Sequence, residues 1–258
     1  MHPILNIAIQ AAIKGGNNII QAYDKNTFNY LKNKEILQKE IYKTKNMIIN
    51  LIKKSYFKHH ILFNYNSSKL KKFKNPTWII NLIHGKKNFK KRFPNFCVSI
   101  TIFVQKKINS SVIYDPLKNE LFTAVNGHGA QINGHRMRSS KTYLLKKIFV
   151  SAKINYMIFQ KNHIFYKILK KIFKKGIIFR STNLVPLDLA YLANGRIDCI
   201  IEYNFKIKNY YSGILHVKET GGIISDYQGG FDYNNKTVII ANNAKVLSLI
   251  LKKIKSLY

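Results

Sequence analysis

The residues of this 258-residue chain that could do chemistry are few and scattered. Cys97 and Cys199 are far apart and fit no metal-ligand spacing, which predicts reduced, buried thiols and a cytosolic setting. His84 has no second His, Cys or carboxylate near it in the sequence. Because a zinc or manganese site needs several such ligands, His84 is predicted to be structural or solvated rather than a metal ligand.

Charge is the strongest signal in the composition. Lys and Arg number 44 against 11 Asp and Glu, which gives a formal net charge of +33. A basic surface attracts nucleic acid or anionic membrane, so a polyanion partner is one interpretation. Drift under AT-biased mutation is the other, because only 5 of these residues are Arg and lysine pairs recur along the whole chain. A dedicated phosphate-binding patch would be clustered and richer in Arg, so the even spread favours drift.

The size and apolar content of the chain indicate one folded domain over residues 1–258. Hydrophobic residues make up 46% and aromatic residues 13%, which excludes a disordered chain. We find no internal repeat and no linker long enough to separate domains. The N-terminus lacks the pattern of a signal peptide, and no apolar run reaches the length of a membrane span. The sequence therefore predicts a cytoplasmic protein with no membrane partner.

Hydrophobic periodicity places helices at both ends and a mixed region between them. Two amphipathic helices are predicted first, one ending near Asp24 and one over 35–56. The polar, basic segment 58–75 follows and is predicted to be a surface loop after the short apolar run 60–63. Strands are predicted at 77–80, 97–105 and 110–114, with further sheet around Gly127, Gly129 and Gly134. The remaining elements are helices at 159–175, 187–193 and 213–220, strands at 198–202 and 237–241, and a C-terminal helix.

Six motifs occur in register along nearly the whole chain, at residues 78–89, 93–100, 114–124, 126–134, 187–198 and 219–226. Together they resemble the inositol monophosphatase family. The resemblance implies an α+β fold, the layered α/β/α/β/α sandwich of the inositol monophosphatase and fructose-1,6-bisphosphatase type. Residues 1–8 resemble a bacterial branch whose members are both magnesium-dependent inositol monophosphatases and factors in ribosomal RNA transcription antitermination. The implied partners are RNA polymerase and Nus factors, and homodimers are common in the family.

The resemblance also implies where magnesium would bind, and the sequence departs from the family at those positions. Hard divalent cations require several carboxylate oxygens, which clamp the phosphate and activate a water. Here Asn81 and His84 stand where the family has the two Asp of its central motif, and Ile83 keeps only a backbone carbonyl. Asn64 replaces an upstream Glu, and Asn209 replaces the Asp near the far end. Losing these anionic ligands removes most of the attraction for Mg²⁺, so we expect no bound metal.

The substrate positions implied by the resemblance are partly retained. Besides Ile83, His84 and Asn209, they comprise Gly85, Lys86, Arg180 and Glu202. Lys86 stands where the family has a Thr that helps to orient the nucleophilic water, and Asn209 stands where an Asp activates the inositol hydroxyl, so both catalytic positions are degenerate. Arg180 and Glu202 match substrate-contacting residues of the family. Substrate binding and structural ion pairing are equally open interpretations for these two residues.

Three functions are compatible with this sequence. The leading hypothesis is a catalytically silent family member that serves ribosomal RNA antitermination, because scaffold residues survive where the carboxylates do not. The second is an active, magnesium-dependent inositol-1-monophosphatase that uses other groups to hold the metal. The third is direct, non-specific RNA contact through the lysines, which would weaken steeply with salt.

Overall fold

The computed structural model describes residues 3–25, 29–63, 74–140, 147–152, 164–173, 177–231 and 236–257. The chain divides into two units, Met1–Arg136 with Tyr211–His216 and Met137–Tyr210 with Val217–Tyr258. Each unit has its own sheet and its own apolar core. The single domain over residues 1–258 stays a prediction. Among the described residues no helix is both long and apolar enough to cross a membrane.

Two long helices open the first unit, α1 (Pro3–Asp24) and α2 (Tyr30–Ser55). The first ends at the predicted residue. The second begins earlier than predicted because Asn29 caps it, accepting hydrogen bonds from the backbone N–H groups of Leu31 and Lys32 at 3.0 Å each. The apolar pattern alone did not reveal this start, since Leu31 is exposed and adds nothing to the buried stripe.

The sheet of the first unit has seven strands in sequence order. They are β1 (His60–Phe63), β2 (Thr77–His84), β3 (Cys97–Val104), β4 (Lys107–Asp115), β5 (Glu120–Val125), β6 (Gly129–Ile132) and β7 (His135–Arg136). All neighbours are antiparallel except β1, which runs parallel to β2 with His60 opposite Thr77. The short apolar run 60–63, to which the sequence analysis assigned no strand, forms β1, and residues 64–73 of the predicted loop lie outside the described part.

Close packing of α1 on the sheet depends on small residues. Ala8, Ala11 and Ala12 are fully buried in one core cluster with Trp78 of β2. At Gly16 a Cβ atom would lie 2.5 Å from the ring of Tyr114 on β4, closer than carbon atoms approach, so only glycine fits there. A short helix, α3 (Lys86–Lys90), joins β2 to β3 in this unit.

The strands of the second unit are β8 (Phe149–Ala152), β9 (Ile178–Phe179), β10 (Cys199–Glu202), β11 (Ile223–Asp226) and β12 (Val238–Ala241). They form a five-stranded sheet in the order β11-β12-β10-β8-β9. Strands β8, β9 and β10 are parallel, whereas β12 is antiparallel to β10 and β11. Both cysteines are free and buried, as predicted, and burial raises the pKa of the Cys199 thiol.

Four further helices follow along the chain, α4 (Ile164–Phe173), α5 (Val185–Ala193), α6 (Tyr211–Glu219) and α7 (Ala244–Ile254). The predicted helices at 187–193 and 213–220 correspond to α5 and α6, and the C-terminal helix to α7. The ends of the predicted helix at 159–175, and the Gly176 expected to stop it, lie outside the described residues. Helix α6 begins in residues of the first unit and ends in the second.

Candidate functional site

The segment from Asn81 to Lys86 carries most of the positions implied by the resemblance. Asn81 pairs with Ser99 across to β3, whereas His84 pairs with Cys97, so three steps along β2 match two along β3. This β-bulge adds one residue and thereby brings Asn81 and His84 to the same face of the sheet, although they are an odd number of residues apart. Gly85 follows with φ of 90°, a left-handed conformation that favours glycine, and turns the chain into α3.

Asn81, His84 and Ser99 form a hydrogen-bonded network on that face. Asn81 Oδ1 accepts the Ile83 backbone N–H at 3.2 Å, which directs its Nδ2 toward His84 Nδ1 at 3.4 Å. Because His84 Nδ1 thus accepts a hydrogen bond, the ring proton lies on Nε2 and is donated to Ser99 Oγ at 2.8 Å. The side chains that replace the two acids of the family motif therefore use their hydrogen-bonding groups on each other, on the Ile83 backbone and on Ser99.

The protonation state of His84 keeps this network uncharged. Burial, and to a smaller extent the neighbouring Lys86 ammonium, lower the pKa of the imidazole to about 4. A histidine with this pKa is neutral at physiological pH. The local cation is then Lys86 itself, whose exposed side chain stands at the position of the family's water-orienting Thr.

These residues do not fit a magnesium ion. Mg²⁺ prefers carboxylate and water oxygens in octahedral array, but this segment offers one amide, one neutral imidazole and an ammonium. The Asn81 oxygen already accepts a backbone N–H, and Lys86 would repel the cation. Among the described residues no group of three His, Cys, Asp or Glu side chains could hold a metal ion. Asn64, the remaining predicted position of this unit, lies outside the described residues.

A small cavity lies beside the network. Its volume is about 10 Å³, room for about one water molecule. Ile41 of α2, which the resemblance aligns with a further family Asp, lines this cavity together with Asn81 and Ile83. The Ile83 side chain is buried in the core with Phe89 and Phe96, so only its backbone remains for any ligand. The cavity wall thus consists of apolar side chains, Asn81 and two lysines, Lys45 and Lys86.

Glu202 and Asn209 belong to the second unit. Glu202 ends β10, is 8% exposed and hydrogen-bonds to the phenol of Tyr210, whose pKa is raised by burial and by the Glu202 charge. Tyr210 also packs on Phe205 with ring centroids 4.2 Å apart. Asn209 ends a 3₁₀ turn, Ile207–Asn209, where its backbone N–H bonds to the Lys206 carbonyl and its side chain is exposed. Glu202 therefore has a structural partner within its own unit.

Arg180 follows β9 and its side chain is exposed. Its backbone N–H bonds to the Val150 carbonyl at 2.9 Å, which extends the pairing of β9 with β8. Its guanidinium donates to the Phe179 carbonyl at 2.9 Å. It makes no ion pair with any carboxylate of the described residues. The structural ion pair considered for Arg180 is therefore not observed there, and its role as a substrate contact stays a prediction.

Sequence reasoning did not identify Ser99 as part of the site. It lies in β3, is 4% exposed, and meets His84 only because the bulge shifts the register of β2 against β3. The alternation of apolar residues in β3 indicates a strand, but it contains no sign of the shift. The one available signal was that Ser99 is, with Thr101, one of two hydroxyl-bearing residues among the apolar residues of β3.

Comparison with known proteins identifies relatives along the whole chain. Residues 1–257 match the model of the inositol monophosphatase family. Nus factor SuhB of Buchnera aphidicola subsp. Baizongia pistaciae is 42% identical over 263 residues, covering 100% of this chain and 98% of that protein. Nus factor SuhB of Escherichia coli K12 is 34% identical over 264 residues, with coverage of 99% and 97%.

A solved structure supports the same relationship. The extragenic suppressor protein suhB from Bartonella henselae superimposes with a TM-score of 0.78 at 28% sequence identity, covering 98% of this chain and 99% of that one. The resemblance recognised from the six motifs and the predicted α+β fold class are both confirmed.

Proposed function

Because the chain belongs to the inositol monophosphatase family, and its relatives include Nus factors SuhB, we propose that it serves processive ribosomal RNA antitermination and ribosome biogenesis without phosphatase catalysis. Its partners in this proposal are RNA polymerase and the Nus factors of the cytoplasm. The chain would contribute a folded surface to that assembly, whereas the position of the family's metal site would make no chemical contribution.

The network of Asn81, His84 and Ser99 is the observation that supports the proposed absence of phosphatase catalysis. An enzyme that clamps phosphate through magnesium needs anionic oxygens free to bind the cation. Here the side chains at the two central positions hydrogen-bond to each other, to Ile83 and to Ser99, at distances of 2.8–3.4 Å. With Lys86 beside them, the segment is neutral to cationic and offers no counter-charge for Mg²⁺.

The second candidate is a magnesium-dependent inositol-1-monophosphatase. The observation in its favour is that Arg180 is exposed and has no ion-pair partner among the described residues, since a guanidinium that no carboxylate occupies can bind phosphate. This candidate needs a metal site built from residues other than those at the family positions. Binding of phosphate through Arg180 alone would not supply the nucleophile or the charge neutralisation that hydrolysis requires.

Two assays on the same purified chain separate the candidates. The first measures release of phosphate from inositol 1-phosphate with Mg²⁺, and we expect none above the rate without protein. The second adds the chain to elongation complexes of RNA polymerase and the Nus factors of the same organism on a ribosomal RNA leader, and we expect increased read-through of a downstream terminator.

A matched variant makes the second assay specific. Asn81→Ala removes the network at the family's metal position but leaves the rest of the surface intact, so it should support read-through as well as the wild-type chain does. Normal phosphatase turnover by the wild-type chain would refute the silent proposal, and no read-through by a folded chain would refute antitermination.

A further inference from the structure

One of the dense runs of cations in the chain lies at residues 86–92. Residues 86–92 contain five cations, Lys86, Lys87, Lys90, Lys91 and Arg92, and no acid. They form α3 and the turn after it, on the surface of the first unit. Together with Tyr30 and Phe93 they are named here the α3 surface.

The lysines of the α3 surface are not neutralised by acids. Lys90 and Lys91 both lie over the ring of Tyr30 at the start of α2, with Nζ atoms 5.2 and 5.5 Å from the ring centroid. Lys86, Lys87, Lys90 and Lys91 make no ion pair with a carboxylate of the described residues. An aromatic face holds two ammonium groups side by side without cancelling their charge, so the positive potential is available to an anionic partner.

Phe93 is presented to solvent on an ordered turn. Its ring is 57% exposed, unlike those of Phe89 and Phe96, which are buried on either side of it in the sequence. The Phe93 N–H bonds to the Asn88 carbonyl at 2.9 Å, and the Asn88 amide donates to the Asn95 carbonyl at 2.8 Å.

The turn before Phe93 is held from α1 as well. The Tyr23 hydroxyl donates to the Arg92 carbonyl at 2.7 Å, and Arg92 itself has a φ of 57°. Because these hydrogen bonds fix the backbone of the turn, a flat partner that stacks on the exposed Phe93 ring does not have to order the chain around it.

We propose that the α3 surface binds single-stranded RNA, with its lysines along the phosphates and Phe93 stacked on a base. Proteins that bind single strands combine a cationic track with aromatic rings on which bases stack. A duplex keeps its bases inside and would use only the charges, and the same holds for an anionic membrane or a sulfated polysaccharide. The exposed ring is the feature that favours RNA with unpaired bases over these other polyanions.

The biological role of RNA binding at the α3 surface rests on the proposed function in antitermination. RNA binding by the purified chain is nevertheless measured separately from read-through. Antitermination can succeed through protein contacts while RNA binding fails, and RNA can bind to a chain that does not act on the elongation complex. The two proposals therefore fail in different experiments.

The charge arm of the test uses two variants with the same loss of charge. The triple variant Lys87→Ala/Lys90→Ala/Lys91→Ala removes three cations of the α3 surface. The control Lys252→Ala/Lys253→Ala/Lys255→Ala removes three exposed lysines at the end of α7 and just after it. Affinity for a single-stranded RNA of about twelve nucleotides, followed by fluorescence anisotropy over a salt series, should fall about tenfold in the first and less than about twofold in the second.

The stacking arm uses Phe93, whose exposed ring can be changed with little risk to the core. Phe93→Ala should weaken RNA binding about fivefold and leave heparin binding unchanged, because heparin has charge but no bases. Phe93→Tyr, which keeps a ring, should bind RNA as the wild type does. Unfolding curves verify that all variants remain folded. Equal losses in the two triple variants, or equal effects of Phe93→Ala on RNA and heparin, would overturn the proposal.

Discussion

Carboxylates are absent at the end of β2 in the first unit but retained inside the second unit. The chain has only 11 acids, and among the residues that the structure describes five are buried, namely Asp115, Asp188, Asp198, Glu202 and Asp226. The last four lie in the second unit. At positions 81 and 84, where the resemblance expects acids, the chain has Asn and His. The comparison indicates that an acid in this chain is kept for its hydrogen bonds within the fold rather than for a metal.

Asp198 and Asp188 show what the retained acids do. Asp198 accepts hydrogen bonds from the Phe149 backbone N–H at 2.9 Å, from the Asn242 amide at 3.0 Å and from the Ser140 hydroxyl. Asp188 accepts the Thr182 N–H at 2.9 Å and two serine hydroxyls. Removing either carboxylate would leave buried donors without an acceptor, which costs far more than a hydrogen bond contributes when it is made.

Asp115 and Asp226 act on turns in the same way, one in each unit. Asp115 accepts the N–H groups of Leu117 and Lys118 between β4 and β5, whereas Asp226 accepts those of Gln228 and Gly230 after β11. The end of β2 differs, because the two side chains that stand in place of the family's acids hydrogen-bond to each other and to β3. Asn81 supplies its own amide to His84, and His84 donates to Ser99.

The largest effect expected from this comparison is on stability. Asp198→Ala should lower the free energy of unfolding by about 3–5 kcal/mol, since it strands the Phe149 N–H and the Asn242 amide in the core. Asn81→Ala should lower it by only about 1 kcal/mol, because the bonds that it loses are long and partly solvated. Urea unfolding of both variants beside the wild type measures the difference. Equal losses in the free energy of unfolding would contradict the proposed difference between the two regions.

The second effect is a pH dependence that arises at His84. Its folded pKa of about 4 lies below its unfolded value, so the unfolded state takes up a proton first as the pH falls. Stability is therefore full at neutral pH and is lost as the pH drops from about 6.5 towards 4, by about 2 kcal/mol between pH 7 and pH 5. His84→Gln should lose correspondingly less stability over that interval.

His216 provides the internal reference for this measurement. It is fully buried, and burial lowers its pKa to about 4 as well, so its contribution persists in His84→Gln. Urea unfolding at the two pH values gives the comparison. A variant with the same pH dependence as the wild type would contradict the assignment of a neutral His84 with a lowered pKa.

A smaller effect should follow from restoring the acids. Asn81→Asp/His84→Asp/Lys86→Thr introduces the carboxylates of the family motif and removes the repelling ammonium. Millimolar Mg²⁺ should then stabilise this variant by about 1 kcal/mol relative to its own metal-free state, and leave the wild type unchanged. Thermal unfolding with MgCl₂, against NaCl of equal ionic strength, measures the shift. Stabilisation of the wild type by the same amount would mean that its metal site is intact.

The family, the fold class and the exchange of acids could all be read from the sequence, because six motifs and the glycine turns remain in register. The start of α2 and strand β1 could not. Asn29 acts through a side-chain cap, and residues 60–63 are a strand only because they lie parallel to the buried β2. Neither contact leaves a periodic apolar pattern in the local sequence.

The sequence showed which residues replace the two acids of the family motif, but for the same physical reason it did not show what those residues contact. The sequence identifies His84 and Asn81 at the positions of two acids, but their pairing requires the bulge in β2 and the serine opposite on β3. The roles of Asp188 and Asp198 depend likewise on donors 37 and 49 residues away, Ser151 and the Phe149 N–H. Long-range hydrogen bonds of this kind have no signature in one sequence.

Titration of the purified protein with Mn²⁺, followed by the electron paramagnetic resonance signal of the free ion, tests our proposal that the chain has lost its divalent metal site while keeping the fold. Mn²⁺ takes the same oxygen ligands as Mg²⁺ and is silent to this method only when bound. We expect the signal of free Mn²⁺ to grow with added Mn²⁺ as it does in buffer. A loss of signal that saturates at one or more ions per chain would contradict it.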